Sequence, residues 1–138
     1  MVWYNLAMEN EQNKKTILVV ENDVPTSDAI IAKLTLRGFN TLKADDGAKG
    51  VKMAIDYHPD LILLDILMPN IDGLEAMKQI REEGTWGKSV PIFLLTNLSP
   101  DEERIMKGVT RDEPAYYLIK TNFNLDDVVD KIKEKLNL

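Results

Sequence analysis

The sequence predicts an open α/β fold, a parallel sheet with helices on both faces, built as one domain. Three observations predict it. Short, near-continuous apolar runs recur at residues 17–20, 61–64, 92–95 and 116–119, as strands covered on both sides read. Segments of helical periodicity alternate with them, the order of a sheet wrapped by crossover helices. Each run ends in polar residues, Glu21-Asn22-Asp23, Asp65, Thr96 and Lys120. Open α/β sheets carry their chemistry at the carboxyl ends of their strands.

The elements follow in order. Residues 1–15 hold Trp3 and Tyr4 but neither a basic start nor a long apolar stretch, so they do not read as a signal peptide. They are set aside as an N-terminal extension or expression remnant, and residues 16–138 as the domain. The first strand, 17–20, leads to a helix over 25–37 that begins near a proline, stripes Ile30, Ile31 and Leu34, and stops at Gly38. Thr41-Leu42-Lys43-Ala44 is a weaker, more polar strand and is placed at an edge. A helix over 48–57 carries Val51, Ala54 and Ile55. His58 follows, before Pro59, and reads as a solvated linker residue. After the third strand, Asp72-Gly73 reads as a turn before a helix over 74–83 with Leu74, Met77 and Ile80. A fourth, weaker helical pattern spans 100–109. The last begins at Leu125, with Leu125, Val128, Val129, Ile132 and Leu136 at helical spacing, Asn124 as its cap, acids first and lysines later.

Composition narrows the function. At 138 residues with 44% hydrophobic and 29% charged residues, the chain is ordinary for a soluble domain. A net charge of −6 argues against direct nucleic-acid binding. With no cysteine, thiol chemistry is excluded, and with a single histidine a structural zinc site is not expected. No apolar stretch reaches the roughly 18 residues a membrane span needs, so the cytoplasm is the expected location. A metal-assisted transfer of a phosphoryl group onto a carboxylate fits the polar strand ends. Glu21 and Asp65 would supply oxygens to a divalent cation, Lys120 a fixed ammonium, and Thr96 a hydroxyl for the incoming phosphoryl group.

At these residues the chain resembles the CheY-like receiver domain of two-component response regulators, over residues 16–138. The resemblance is carried by Ile17-Leu18-Val19-Val20-Glu21-Asn22-Asp23, by Asp60-Leu61-Ile62-Leu63-Leu64-Asp65 with Met68-Pro69 and Asp72-Gly73, by Pro91-Ile92-Phe93-Leu94-Leu95-Thr96, and by Tyr117-Leu118-Ile119-Lys120. It implies a flavodoxin-like (βα)5 sandwich with a five-stranded parallel sheet of order 2-1-3-4-5. It implies Asp65 as phosphoacceptor, served by a sensor histidine kinase or phosphotransfer protein, and Mg²⁺ held by Glu21, the position of Asn22, Asp65 and the Leu67 backbone carbonyl. Thr96 and Tyr117 become switch residues. The readout face comprises the fourth helical pattern, over 100–109, with the fifth strand and the last helix, and is read by a separate protein. The chain is then a phosphoacceptor rather than an enzyme, a monomer or a weak homodimer through its last helices.

Four departures stand against that pattern. Asn22 replaces an acid that usually ligates the metal, which predicts weakened Mg²⁺ binding, with Asp23 as a possible substitute one position on. Thr121 replaces the proline that usually follows the lysine through a cis bond; before a non-proline residue that bond costs ~3 kcal/mol, so trans is expected. Glu113-Pro114 predicts an altered entry to the fifth strand and an irregular end to the fourth helix. Asn97 replaces a small residue and is expected to narrow access to Asp65.

Plainer readings compete. Asp65 could be a solvated loop residue or helix cap, Glu21 a cap for the helix near Pro25, Lys120 a surface lysine and Tyr117 a core aromatic. Among whole functions, the alternative is an atypical receiver acting as an interaction module without phosphorylation, marked by Asn22. A flavodoxin-like electron carrier would need a Ser/Thr/Gly-rich phosphate loop where Glu21-Asn22-Asp23 stands. An aspartate-nucleophile phosphatase would need an acid at Leu67.

Overall fold

Parallel strands buried on both faces need apolar side chains along their length, and residues 17–20, 61–64 and 92–95 meet that demand, all of them buried. In a computed structural model, residues 14–97, 107, 116–119 and 124–138 are described, Tyr117 and Ile119 through their backbone alone. The strands are β1 (Thr16–Val20), β2 (Asn40–Ala44), β3 (Leu61–Asp65), β4 (Ile92–Thr96) and β5 (Tyr116–Ile119). They form one sheet of order β2-β1-β3-β4-β5, every neighbouring pair parallel. The expected order and the edge position of β2 both hold.

The period of two along a strand sorts the core into two layers. Leu18, Val20, Ile62, Leu64, Ile92 and Leu94 face one side, against Val51, Ala54, Met77 and Ile80. Ile17, Val19, Leu61, Leu63, Phe93 and Leu95 face the other, against Ile30, Leu34, Val128, Val129 and Ile132. Helices α2 (Gly47–Tyr57) and α3 (Gly73–Arg81) thus cover the first face, and α1 (Val24–Leu36) and α5 (Leu125–Lys135) the second. On the second face Tyr116 sits edge-on to Phe93, ring centroids 5.0 Å apart, with Lys131 Nζ 4.7 Å from the Tyr116 centroid.

Side-chain caps fix the helix starts. Asp23, Asp46, Asp72 and Asn124 accept from the backbone N–H three residues on, in α1, α2, α3 and α5 respectively. Asp72 therefore does more than make a turn. α1 closes with Gly38 N–H bonded to Thr35 and Phe39 N–H to Leu34, the paired bonds of a Schellman motif, with Phe39 buried.

Two findings differ from the sequence reading. The pattern over 74–83 ends at Arg81, and a separate short helix, α4 (Gly84–Ser89), follows. It is pinned by Arg81, whose Nη1 donates to the carbonyls of Gly87 at 2.9 Å and Val90 at 2.6 Å. His58 is exposed but not merely solvated: it stacks on Trp86 of α4. The helical pattern over 100–109, the Glu113-Pro114 entry to β5 and the Lys120–Thr121 bond lie outside the described residues, apart from Lys107, which is helical.

Candidate functional site

Register builds the site. Val20 of β1 is the partner of Leu64 of β3, so Glu21 and Asp65 follow at neighbouring strand ends. Asp65 is in turn the partner of Leu95 in β4, and Thr96 comes next. The three polar residues are deeply placed, Glu21 at 1%, Asp65 at 4% and Thr96 at 1% exposure. Burying two neighbouring carboxylates is costly unless cations or donors compensate. A fold that keeps them there points to a site.

Above them opens a cleft of about 460 Å³ lined by Glu21, Asn22, Asp23, Thr26, Asp65, Leu67 and Asn97. Its two sides are tied differently. On the β1 side, Glu21 N–H bonds to the Ala44 carbonyl at 3.1 Å, and Glu21 Oε1 accepts from Asp23 N–H at 3.1 Å. Glu21 thus closes the turn, while the helix cap is Asp23, which accepts from Thr26 N–H at 3.1 Å and from the Thr26 hydroxyl. The plainer sequence reading offers Glu21 as that cap, beside its role at the metal. Asp23-Val24-Pro25-Thr26 was the available signal, an aspartate before a proline at the start of a helix.

On the β3 side, the loop 66–72 is anchored at both ends. Ile66 N–H bonds to Leu95 at 3.2 Å, and Gly73 N–H returns to the Ile66 carbonyl at 2.8 Å. Between them Leu67 is 54% exposed at the rim of the cleft, and Asn70 takes a φ of 67°. Asn70 is well suited to that left-handed turn.

Residues 17–133 match the response regulator receiver domain family. The chain belongs to that family. A DNA-binding dual master transcriptional regulator, RpaA, of Synechocystis is 32% identical over 120 residues, 87% of this chain and 48% of that protein. A probable transcriptional regulatory protein, SilR, of Salmonella typhimurium is 37% identical over 93 residues, 67% of this chain and 39% of that protein. The receiver therefore spans about half or less of the length of these relatives. Among solved structures, a CheY-like receiver domain protein of Methanospirillum hungatei superposes with a TM-score of 0.82 at 22% identity, covering 91% of this chain and 95% of that one. The Vibrio cholerae chemotaxis protein CheY4 gives 0.78 at 21% identity, covering 88% and 98%.

Of the expected site residues, this receiver brings Glu21, Asn22, Asp65 and Leu67 to one cleft and places Thr96 at the adjoining strand end. Lys120 and the Tyr117 side chain lie outside the described residues. Among the described residues, no three His, Asp or Glu side chains gather as a cation cage. What the cleft offers is two buried carboxylates, the Asn22 amide and the neighbourhood of the Leu67 carbonyl. Hard oxygen donors of this kind suit Mg²⁺, which keeps several waters and takes one or two carboxylates. Asn97 is exposed and lines the cleft, where the sequence reading put it. No described helix is long and apolar enough to cross a membrane.

Proposed function

We propose that this receiver accepts a phosphoryl group on Asp65 from a phosphohistidine of a sensor kinase or phosphotransfer protein, and passes the signal to a separate cytoplasmic protein. The observation that carries the reading is the burial of Glu21 and Asp65 side by side beneath an open cleft. An Asp65 carboxylate oxygen attacks phosphorus, the new O–P bond forms as the N–P bond breaks, and the electron pair leaves with the imidazole, which takes up a proton. Glu21, Asn22, Asp65 and the Leu67 carbonyl would hold Mg²⁺, which when bound neutralises the approaching anions. Thr96, at the end of β4, would donate its hydroxyl to a phosphoryl oxygen, and Lys120 would supply the ammonium. Contacts that exist only after transfer are what shift a two-state equilibrium, so Thr96, with Tyr117, forms the switch. β5 and α5 belong to the face that carries the output.

Incubating the chain with Mg²⁺ and acetyl phosphate tests this by intact-mass spectrometry. The expected result is a gain of one phosphoryl group, labile to hydroxylamine and absent in Asp65→Asn. No gain at any donor concentration sinks the reading. It would leave a receiver that acts as an interaction module without phosphorylation, the alternative that Asn22 favours.

A further inference from the structure

The phosphoacceptor loop is held by two backbone contacts that only glycine permits. A Cβ on Gly73 would lie 2.1 Å from the carbonyl oxygen of Asp65 and 2.7 Å from Ile66 Cα. A Cβ on Gly47, the first residue of α2, would lie 1.9 Å from the carbonyl oxygen of Ile71 and 2.8 Å from its carbonyl carbon. In both cases the obstructing atoms are backbone, so no side chain can swing aside. Ile71 and Gly73 are separated only by Asp72, whose side chain caps α3 through Glu75 N–H at 3.0 Å. Asp72 thereby fixes the segment between the two contacts. Gly73 N–H also bonds to the Ile66 carbonyl at 2.8 Å, closing the loop behind Asp65. The path from α2 to the acceptor is therefore short and stiff: Gly47, the Ile71 carbonyl, Asp72, Gly73, the Asp65 carbonyl.

We infer that Gly47 is a positioning residue for the phosphoacceptor site, and that the first turn of α2 sets where Asp65 and the Leu67 carbonyl stand. Gly47 itself touches no reacting atom and is absent from the lining of the cleft. Its effect passes through the loop. Interiors packed at crystal density transmit such a displacement instead of absorbing it, and a misplacement of about 1 Å at a reacting group can cost roughly a hundredfold in rate. The functional half of the inference rests on Asp65 as acceptor. The structural half, that α2 and the loop move together, does not.

The test uses the whole ¹⁵N-labelled chain, with Mg²⁺ alone as titrant and acetyl phosphate as donor. Gly47→Ala is expected to keep native circular dichroism, to move the amide resonances of residues 65–73, and to weaken Mg²⁺ binding and slow phosphorylation by roughly tenfold to a hundredfold. Gly50→Ala is the packing control. The nearest atoms to its Cβ belong to the Val20 side chain, Cγ1 at 2.7 Å and Cγ2 at 2.9 Å, with no backbone among them, so it is expected to lower the melting temperature while leaving those resonances and the Mg²⁺ affinity in place. If Gly47→Ala does not fold, Asp46→Ala decides. It removes the α2 cap, the 2.8 Å bond from Lys49 N–H, without adding atoms, and Asp46→Asn controls for the lost charge. Unmoved resonances with unchanged Mg²⁺ affinity in the deciding variant overturn the inference, and so do equal effects in Gly50→Ala. A wild type that takes no phosphoryl group sinks the acceptor reading alone, because the amide shifts need neither donor nor metal.

Discussion

His58 and Trp86 stack face to face, ring centroids 4.2 Å apart and planes within 4° of parallel, joining the end of α2 to α4. His58 pays for this geometry in backbone, with φ at 44° and ψ at 62° in the left-handed region. Two variants separate the terms. His58→Ala loses the stack and keeps the backbone penalty, so it should destabilise by about 1 kcal/mol. His58→Gly loses the stack but relieves a penalty of about 1–2 kcal/mol, so it should come out near neutral. Urea unfolding of the pair reads the difference directly.

Arg81 should matter more than an ordinary helix-end arginine. Its two bonds to Gly87 and Val90 satisfy carbonyls at the end of α4. Arg81→Ala is expected to cost about 2 kcal/mol, the range for hydrogen bonds to a charged group. Hydrogen exchange at Val90, whose N–H bonds to Trp86 at 2.9 Å, should rise in the same variant. A loss confined to a few tenths of a kcal/mol would show that α4 holds itself.

Ser27 presents the opposite case. Its hydroxyl is fully buried on α1 and finds no hydrogen-bond partner among the described residues. Ser27→Ala removes an unsatisfied group at almost no change in volume. It should stabilise the chain by roughly 1 kcal/mol, seen as a higher urea midpoint with an unchanged slope.

Asn22 supplies oxygen but no charge to the cleft. Asn22→Asp is expected to tighten Mg²⁺ binding about tenfold, a modest figure because the residue is exposed and water screens it. Titration by calorimetry checks it. Equal affinity in both proteins would mean that position 22 does not ligate.

Asp126 ties α5 to α1, with Lys33 Nζ at 3.0 Å and Arg37 Nη1 at 3.2 Å. The Lys33 hydrogen bond first, and the charges of Lys33 and Arg37 after it, lower its pKa from 3.8. A depressed carboxylate stabilises the fold above its unfolded-state value and loses that contribution as pH falls through the folded one. Wild type should therefore melt above Asp126→Asn at neutral pH, with the two curves converging below pH 3.8. Added salt should narrow the gap, since the carboxylate is exposed.

The sheet was legible because strands buried on both faces leave an unbroken apolar trace, and β2 read as an edge because Thr41 and Lys43 make it more polar. Glu21, Asp65 and Thr96 were legible because each is a polar residue closing such a run. What escaped depends on contacts across the chain. α4 spans GTWGKS, two glycines with no apolar period, and holds through Arg81. The His58 stack joins residues 28 apart in sequence, which no local pattern records. Gly47 fell just outside the helix read over 48–57, and its role lies in the backbone it allows to approach, which no side-chain pattern records.

α5 is fastened twice. Val128, Val129 and Ile132 are sunk in the core, and Asp126 and Asp130 reach Lys33 and Arg37 on α1. These two helices are thus clamped into a single body on one side of the sheet, with Lys131 laid over Tyr116 beside them. Fluorophores attached to α1 and α5 would hold a constant separation and serve as an internal ruler, against which any travel elsewhere in the molecule could be gauged.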